Sequence, residues 1–336
     1  MKLIIQIPCL NEAATLPMTL AGMPEHIPGV DEIEILIVDD GSTDNTSAIA
    51  RELGVQHIVR FTTNQGLARA FSAGIDTALK IGADIIVNTD ADNQYPGDQI
   101  PRLLQPILDG RAEMVIGDRQ VGTIGHFSPT KKILQKLGSW VVRKFSNTDV
   151  PDAPSGFRAF SRSAAMRLNI VSDFSYTLET IIQAGKNNIA VAHVPIETNQ
   201  TTRQSRLFKS NGSYIRNSAA TILRIYAMYE PLRVFFTIGA VVFSGGVLIG
   251  LRFLFYYLGG NGGGHIQSLV LAAVLMIIGF QTFMIGLLAD LLGANRKLIE
   301  KLLFRVKDLQ FAENPHGERS MHGVAARLIG PRELQK

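Results

Sequence analysis

Asp84-Ile85-Ile86-Val87-Asn88-Thr89-Asp90-Ala91-Asp92 is a short apolar run that ends in two carboxylates one residue apart. A run of this length between polar residues reads as a buried strand. Two acids just past its end can both face a ligand crevice, or one can bind metal while the other holds a sugar hydroxyl. Hard carboxylate oxygens suit Mg²⁺ or Mn²⁺, and such an ion neutralises a diphosphate leaving group. Gln94 stands close enough in sequence to add a third oxygen. An Asp-x-Asp triplet alone is common on loops, so its position is what gives it weight.

That position is the end of the fourth strand. Leu3–Ile7, Ile33–Val38, His57–Arg60, Asp84–Asn88 and Met114–Gly117 are short apolar runs, and Glu12–Leu20, Thr43–Leu53, Leu67–Ile81 and Gly97–Leu108 between them have helical spacing. Ser42 or Thr43 is placed to cap the second helix. Strands alternating with helices predict an α/β fold with a largely parallel, doubly wound sheet. Ligands in such sheets bind beyond the carboxyl ends of the strands. Further on, Thr130–Phe145, Ser163–Leu168 and Thr177–Gly185 read as helices and Ile189–Pro195 as a last strand.

The other strand ends carry polar turns on the same side. Val38-Asp39-Asp40-Gly41-Ser42-Thr43-Asp44 sets an acidic pair before a glycine turn and a helix start. A carboxylate there can accept hydrogen bonds from a nucleobase imide or a ribose hydroxyl. Helix capping accounts for Ser42 or Thr43 and for Asp44 near the helix dipole, but it does not require both Asp39 and Asp40. Pro8-Cys9-Leu10-Asn11-Glu12 ends the first strand, and Asn64-Gln65-Gly66-Leu67-Ala68-Arg69 follows the third.

The chain has 336 residues, 46% apolar and only 18% charged, against ~25% charged in ordinary soluble domains. Val234–Leu251 and Ser268–Ala289 explain the deficit: about 18 and about 22 residues without charge, where a bilayer core takes ~20 residues of helix. Arg224 and Arg233 precede the first run and Arg296, Lys297, Lys301, Arg305 and Lys307 follow the second, while Gly259–Gln267 between them has no residue of fixed charge. The positive-inside rule then predicts a hairpin with both termini and the globular domain in the cytoplasm. The expected parts are a catalytic domain over 1–210, an amphipathic juxtamembrane helix over 211–232, a hairpin over 233–292 (spans 233–258 and 268–292) and a basic tail over 293–336, mobile after Phe311. Small residues such as Gly239, Gly245 and Gly246 offer a face for homo-oligomers. The net charge of +4 does not point to nucleic acid, because the main basic clusters flank apolar runs. A single cysteine, Cys9, excludes an internal disulfide. The first apolar run, broken by Gln6 and Pro8, is too short for a secretion signal. P-loop, zinc-hydrolase and nucleophile-elbow motifs are lacking.

Ile7-Pro8 with Asn11-Glu12, Val38-Asp39-Asp40-Gly41-Ser42, Asn64 with Gly66, Asp90-Ala91-Asp92 and Ser155-Gly156-Phe157-Arg158 stand in this order over residues 1–200. Together they resemble glycosyltransferase family 2, of the GT-A fold. With the apolar hairpin, the chain is similar to the polyprenyl-phosphate glycosyltransferases, the group of dolichyl-phosphate mannose synthases and undecaprenyl-phosphate glucosyltransferases. The resemblance implies inverting transfer from a nucleotide-diphosphate sugar, a UDP-sugar before GDP-mannose, to undecaprenyl or dolichyl phosphate. It implies a nucleotide pocket of Pro8, Asn11, Glu12, Asp39, Asp40, Ser42, Asn64, Gly66 and Arg69. Asp90, Ala91, Asp92 and Gln94 would surround Mg²⁺ or Mn²⁺ and the diphosphate. Gly117-Asp118-Arg119 and Ser155–Arg158 would face the acceptor phosphate, with Arg203 and Arg206 on a loop over the diphosphate. Many members carry a second acid within the Gly-Phe-Arg region; here Gly156 stands there and Asp152 lies four residues earlier. A phosphate monoester is already largely anionic at neutral pH, so alignment can replace a strong base. Arg119 and Arg158 can offer forked hydrogen bonds to it. Alternatives are a GT-A transferase extending a lipid-linked or exported polysaccharide, and a non-catalytic membrane scaffold with a retained fold.

Overall fold

The computed structural model describes residues 1–120, 129–171, 176–199, 229–260, 262–312 and 326–328, with 220, 224, 226 and 227 besides. Two compact units are distinguished, Met1–Ile222 with Leu303–Lys336, and Leu223–Leu302.

The first unit is built on a sheet of eight strands: β1 (Lys2–Cys9), β2 (Glu32–Asp39), β3 (His57–Phe61), β4 (Ile85–Asn88), β5 (Met114–Asp118), β6 (Arg158–Ser161), β7 (Val191–Pro195) and β8 (Ala326–Leu328), in the order β7-β5-β6-β4-β1-β2-β3-β8. β3, β2, β1 and β4 run parallel. β1 lies between β2 and β4, so the chain reverses its winding direction there, and the carboxyl ends of β1 and β4 flank the switch-point crevice. Asp90 and Asp92 follow β4 directly.

Burial on both faces explains the continuous apolar runs: Leu3, Ile4, Ile5, Ile7, Leu36, Ile37, Val38, Ile86 and Val87 are all fully buried. Helices α1 (Leu16–Ala21), α2 (Thr46–Glu52), α3 (Leu67–Lys80), α4 (Ile100–Leu108), α5 (Pro129–Ser146), α6 (Arg162–Arg167) and α7 (Tyr176–Lys186) complete this unit among the described residues. The strands and helices predicted within residues 1–200 are all present, with shifted ends. α2 starts at Thr46, with no side-chain cap. The Ser42 hydroxyl instead accepts the Asn11 amide at 2.9 Å, so the expected cap is corrected to a tie between the first and second turns.

Pattern reading lacks β8 and, within the body of the sheet, β6. It is four residues long, opens with an arginine, and runs antiparallel between β4 and β5. Nothing local marks it; its pairing with strands far away in sequence makes it. The final short strand, β8, lies antiparallel beside β3, within the tail expected to be mobile.

The second unit holds α8 (Pro231–Leu258) and most of α9 (Ile266–Ala312), joined through a 3₁₀ turn at Gly262–His265. Both helices are long and apolar enough to cross a membrane. Their backbones touch: a Cβ on Gly239 would stand 3.0 Å from the Gly279 carbonyl oxygen, and one on Gly246 2.9 Å from that of Ala272. Gly239 and Gly246 are therefore spent inside the hairpin rather than between copies, and only Gly245 meets no atom within 4 Å. α9 passes the expected span end at 292 without a break. Most of the expected juxtamembrane helix over 211–232 lies outside the described residues.

Candidate active site

The crevice has two sides, and one begins with the turn after β2. Asp39 is fully buried and accepts the Ser42 amide at 2.7 Å and the Ser47 hydroxyl. These bonds give it a role in shaping the turn. Asp40 accepts the amides of Gln65 (2.7 Å) and Gly66 (2.9 Å), one on each oxygen. It ties the third turn to the second, with lone pairs to spare. Burial raises its pKa above the usual carboxylate range, and the two amides oppose that shift.

Gly41 makes the tie sterically feasible. Its φ is +75°, and a Cβ there would lie 2.5 Å from the Thr63 carbonyl carbon. Asn11, at φ 55°, accepts the Thr43 amide at 2.8 Å. Glu12 receives the Thr15 hydroxyl at 2.6 Å, while its amide donates to Thr46. Pro8 is buried in β1 opposite Val38. Asn64 and Arg69 are exposed, and Arg69 Nη1 donates to the Gln65 side-chain oxygen at 3.4 Å.

At the end of β4, Ala91 is buried and its carbonyl accepts the Thr19 hydroxyl at 3.0 Å. It is the spacer that fixes the turn. Asp92 accepts the Gln94 amide at 3.1 Å. Asp90 has no hydrogen-bond donor among the described residues. Burial first, and the Asp92 charge second, push its carboxyl up to about 7. Two neighbouring acids without a basic partner in hydrogen-bond contact form a site with uncompensated negative charge. That suits a hard divalent ion whose remaining ligands are diphosphate oxygens and water. Among the described residues no third His, Cys, Asp or Glu joins them, so Gln94 remains the candidate for a third protein oxygen.

The far side of the crevice contradicts two expectations. Arg158 is fully buried, with Nε on the Ser155 carbonyl (2.8 Å), Nη1 on the Thr177 carbonyl (2.8 Å) and the Thr180 hydroxyl, and Nη2 on the Ala153 carbonyl (2.7 Å). No fork is left for a phosphate: Arg158 is a strut holding the Ala153–Ser155 turn against α7. Burial pushes its pKa down to about 10, which still leaves it charged at neutral pH. Arg119 pairs bidentately with Asp152, Nε at 2.7 Å and Nη2 at 2.9 Å. Asp152 is buried and committed to that pair, which corrects its candidacy as a base. Arg119 keeps only Nη1 clear of Asp152. Ser155 is fully buried, and its hydroxyl has no hydrogen-bond partner among the described residues. Arg203 and Arg206 lie outside the described residues.

Sequence reading missed the polar network beneath Asp90. Asn88 accepts from Gln6 Nε2 (2.8 Å) and donates to the Gly156 carbonyl (2.9 Å) and the Tyr176 hydroxyl (2.8 Å). The Gly156 amide reaches the Tyr95 hydroxyl at 3.3 Å. Burial pushes the Tyr95 hydroxyl up to about 12, so it remains protonated. The signal was present in two amides inside otherwise apolar strands, Gln6 in β1 and Asn88 in β4.

A carboxylate pair at the switch point of a nucleotide-type sheet, beside a turn shaped by Asp39 and Asp40, defines a GT-A glycosyltransferase. The family model "Glycosyl transferase family 2" matches residues 4–168. A UDP-N-acetylglucosamine–dolichyl-phosphate N-acetylglucosaminyltransferase of Methanococcus voltae is 31% identical, the match covering 57% of this chain and 83% of that protein. A prophage bactoprenol glucosyl transferase homolog of Escherichia coli K12 is 28% identical over 91% of this chain and all of that protein. Glucosyl-3-phosphoglycerate synthase of Mycobacterium tuberculosis, solved with Mn²⁺, UDP and phosphoglyceric acid, superposes with a TM-score of 0.55 at 20% identity, covering 67% of this chain and 78% of that one. The chain belongs to glycosyl transferase family 2.

Proposed function

We propose that this enzyme transfers a sugar, with inversion, from a nucleotide-diphosphate donor to a polyprenyl phosphate at the cytoplasmic face of a membrane. The observation that carries the reading is the uncompensated Asp90–Asp92 pair at the switch point, in a chain that ends in two membrane-length apolar helices. The names of the Methanococcus and Escherichia relatives support the acceptor class. A UDP-sugar is the favoured donor and GDP-mannose the second.

A divalent cation held by Asp90 and Asp92, with Gln94 beside them, would supply charge neutralisation to the departing diphosphate. The rest falls to the chain itself. The Asp40-tied turns bind the nucleotide and set the donor's orientation. The acceptor's phosphate oxygen is already anionic at neutral pH. It attacks the anomeric carbon opposite the diphosphate, and the bond from that carbon to the diphosphate oxygen breaks. No general base is needed, which fits an Asp152 wholly engaged by Arg119. Arg119, held in place by Asp152, has Nη1 left to offer an anion.

The deciding experiment offers the purified enzyme a panel of nucleotide sugars with undecaprenyl and dolichyl phosphates and weighs the lipid product. A mass increase of one sugar on the lipid phosphate is expected, and none on a polyprenol lacking phosphate. Efficient glycosylation of the polyprenol would refute the acceptor assignment. The membrane reading places both termini in the cytoplasm and the Gly259–Gln267 turn on the other side. An impermeant thiol reagent applied from outside should label Gly262→Cys in a Cys9→Ser background and leave Lys301→Cys untouched; the reverse pattern would overturn the orientation.

A further inference from the structure

Leu292, Asn295, Ile299, Leu302, Val306 and Leu309 recur along α9 in steps of 3, 4, 3, 4 and 3 residues. This is the a/d period of a coiled-coil seam. The five apolar members are 56 to 68% exposed, and Asn295 is exposed as well. Leu298 and Leu303, also exposed, widen the stripe on both sides. The opposite face of the same helix is occupied: Phe311 is buried under the Arg162 guanidinium, 5.9 Å from its ring, and Lys307 pairs with Asp76 at 3.1 Å. The helix is therefore engaged on one face and bare on the face with the heptad period.

Lipid is a poor cover for that bare face. α9 is one unbroken helix of 47 residues, about 70 Å at 1.5 Å per residue, while a bilayer core is only ~30 Å thick. Its charge-free stretch ends at Ala289. Residues 299–309 lie roughly 15 to 30 Å further along the helix, beyond the apolar run, where an exposed stripe of this kind calls for a protein partner.

We propose that the partner is a second copy of this chain, joined through a parallel coiled coil along the 292–309 seam. The inference rests on the reading of α8 and α9 as a membrane hairpin. Anchoring gives every copy the same orientation, so the same helix leaves the bilayer in parallel and in register with its neighbour. With Leu292, Ile299 and Val306 at a and Leu302 and Leu309 at d, Asn295 is the seam's one polar member, at a d position. The association face thus moves from the hairpin glycines to the part of α9 beyond the apolar run.

Single cysteines in a Cys9→Ser background of the full-length protein test this in native membrane vesicles. Mild oxidation should give disulfide dimers with Ile299→Cys, Leu302→Cys and Val306→Cys, and at least fivefold less with Lys301→Cys and Asp308→Cys. Equal yields on and off the seam, or none, would overturn the proposal. In lipid nanodiscs, mass measurement of the Leu302→Glu, Val306→Glu double variant should show at least tenfold weaker self-association, with sugar transfer per chain retained. A wild-type protein that is monomeric there, with a label at position 302 quenched by lipid, would assign the stripe to the bilayer and refute the pairing. Release of the protein by alkaline carbonate would remove the hairpin reading alone; the cross-linking pattern would still decide whether the helices pair.

Discussion

The two sides of the crevice differ in how their charges are settled. At the end of β4, Asp90 has no hydrogen-bond donor among the described residues, and burial first and the Asp92 charge second raise it to about 7. On the β5–β6 side the buried charges that are described have partners: Arg119 pairs with Asp152, and Arg158 with three carbonyls and a hydroxyl. Buried charge left unpaired is costly, so a protein keeps it where a ligand will pair it. Buried charge fully paired holds a scaffold together. On the proposed reading, the first side is where ligand charge enters, and the second is the frame that holds it.

The largest effect expected is on the unpaired side. Asp92→Asn removes half of the metal-binding charge and should lower turnover at least ~100-fold, the loss typical of removing one electrostatic stabiliser. Chelation should abolish transfer altogether, and donor affinity should fall less than turnover. Full activity in excess chelator would break the comparison at its root, since the acids would then have no cation to pair with.

The second test concerns the settled side. Arg158→Lys keeps the charge but cannot reproduce three guanidinium nitrogens bonding to Ser155, Thr177, Thr180 and Ala153. Leaving buried carbonyls without donors should cost about 2 kcal/mol of stability. Melting temperature, donor affinity and transfer should then fall together. Loss of transfer alone, with melting and donor affinity unchanged, would return Arg158 to the acceptor site.

That reversal shows where sequence reading stops. The parallel half of the sheet was legible because each strand and helix carries its own period. Asp90 and Asp92 were legible because they directly follow a strand whose place in the order was clear. Arg158 was misassigned because burial is not a local property. It opens β6, a strand made by pairing with β4 and β5, and α7 closes over it. Arg119 and Asp152 likewise look like separate polar residues until the fold brings their side chains to 2.7 Å. Asn88 and Gln6 could have been found by asking what two amides do in strands that are otherwise apolar.

A third test uses pH, with Mn²⁺ binding as the readout. Asp90 has its carboxyl raised to about 7 in the folded protein by burial and by Asp92. Below that value the carboxyl holds a proton that an incoming ion must displace. Apparent Mn²⁺ affinity should fall by up to about tenfold for each pH unit below 7 and level off above it. The linkage to stability has the opposite direction. A carboxyl raised above its unfolded value of ~4 destabilises the metal-free fold as pH climbs from about 4 to 7. The metal-free enzyme should therefore melt lower at pH 8 than at pH 5 by this contribution, and Asp90→Asn should erase that part of the difference. An affinity that is flat from pH 5 to 8 would mean that Asp90 is already ionised and paired.

The smallest effect tests how finely the frame holds the unpaired acid. Gly156 is gripped at both backbone groups, its carbonyl by Asn88 and its amide by Tyr95. A Cβ at this position would sit 3.1 and 3.2 Å from the two Asp90 carboxylate oxygens and 3.1 Å from the Tyr176 hydroxyl. Those contacts are tight without being impossible, so the neighbours must give by a few tenths of an ångström. Tyr176 is stacked on Phe71 at 3.9 Å and bonded to Asn88, whereas Asp90 has no donor holding it. The carboxylate is the group that yields. Gly156→Ala should therefore leave the melting temperature of the metal-free protein nearly unchanged and weaken Mn²⁺ binding about three- to fivefold, under 1 kcal/mol. Turnover at saturating metal should recover most of the wild-type rate, because the ion can pull Asp90 back into place. A large fall in melting temperature with normal metal affinity would show the reverse, that the frame moves and the acid does not.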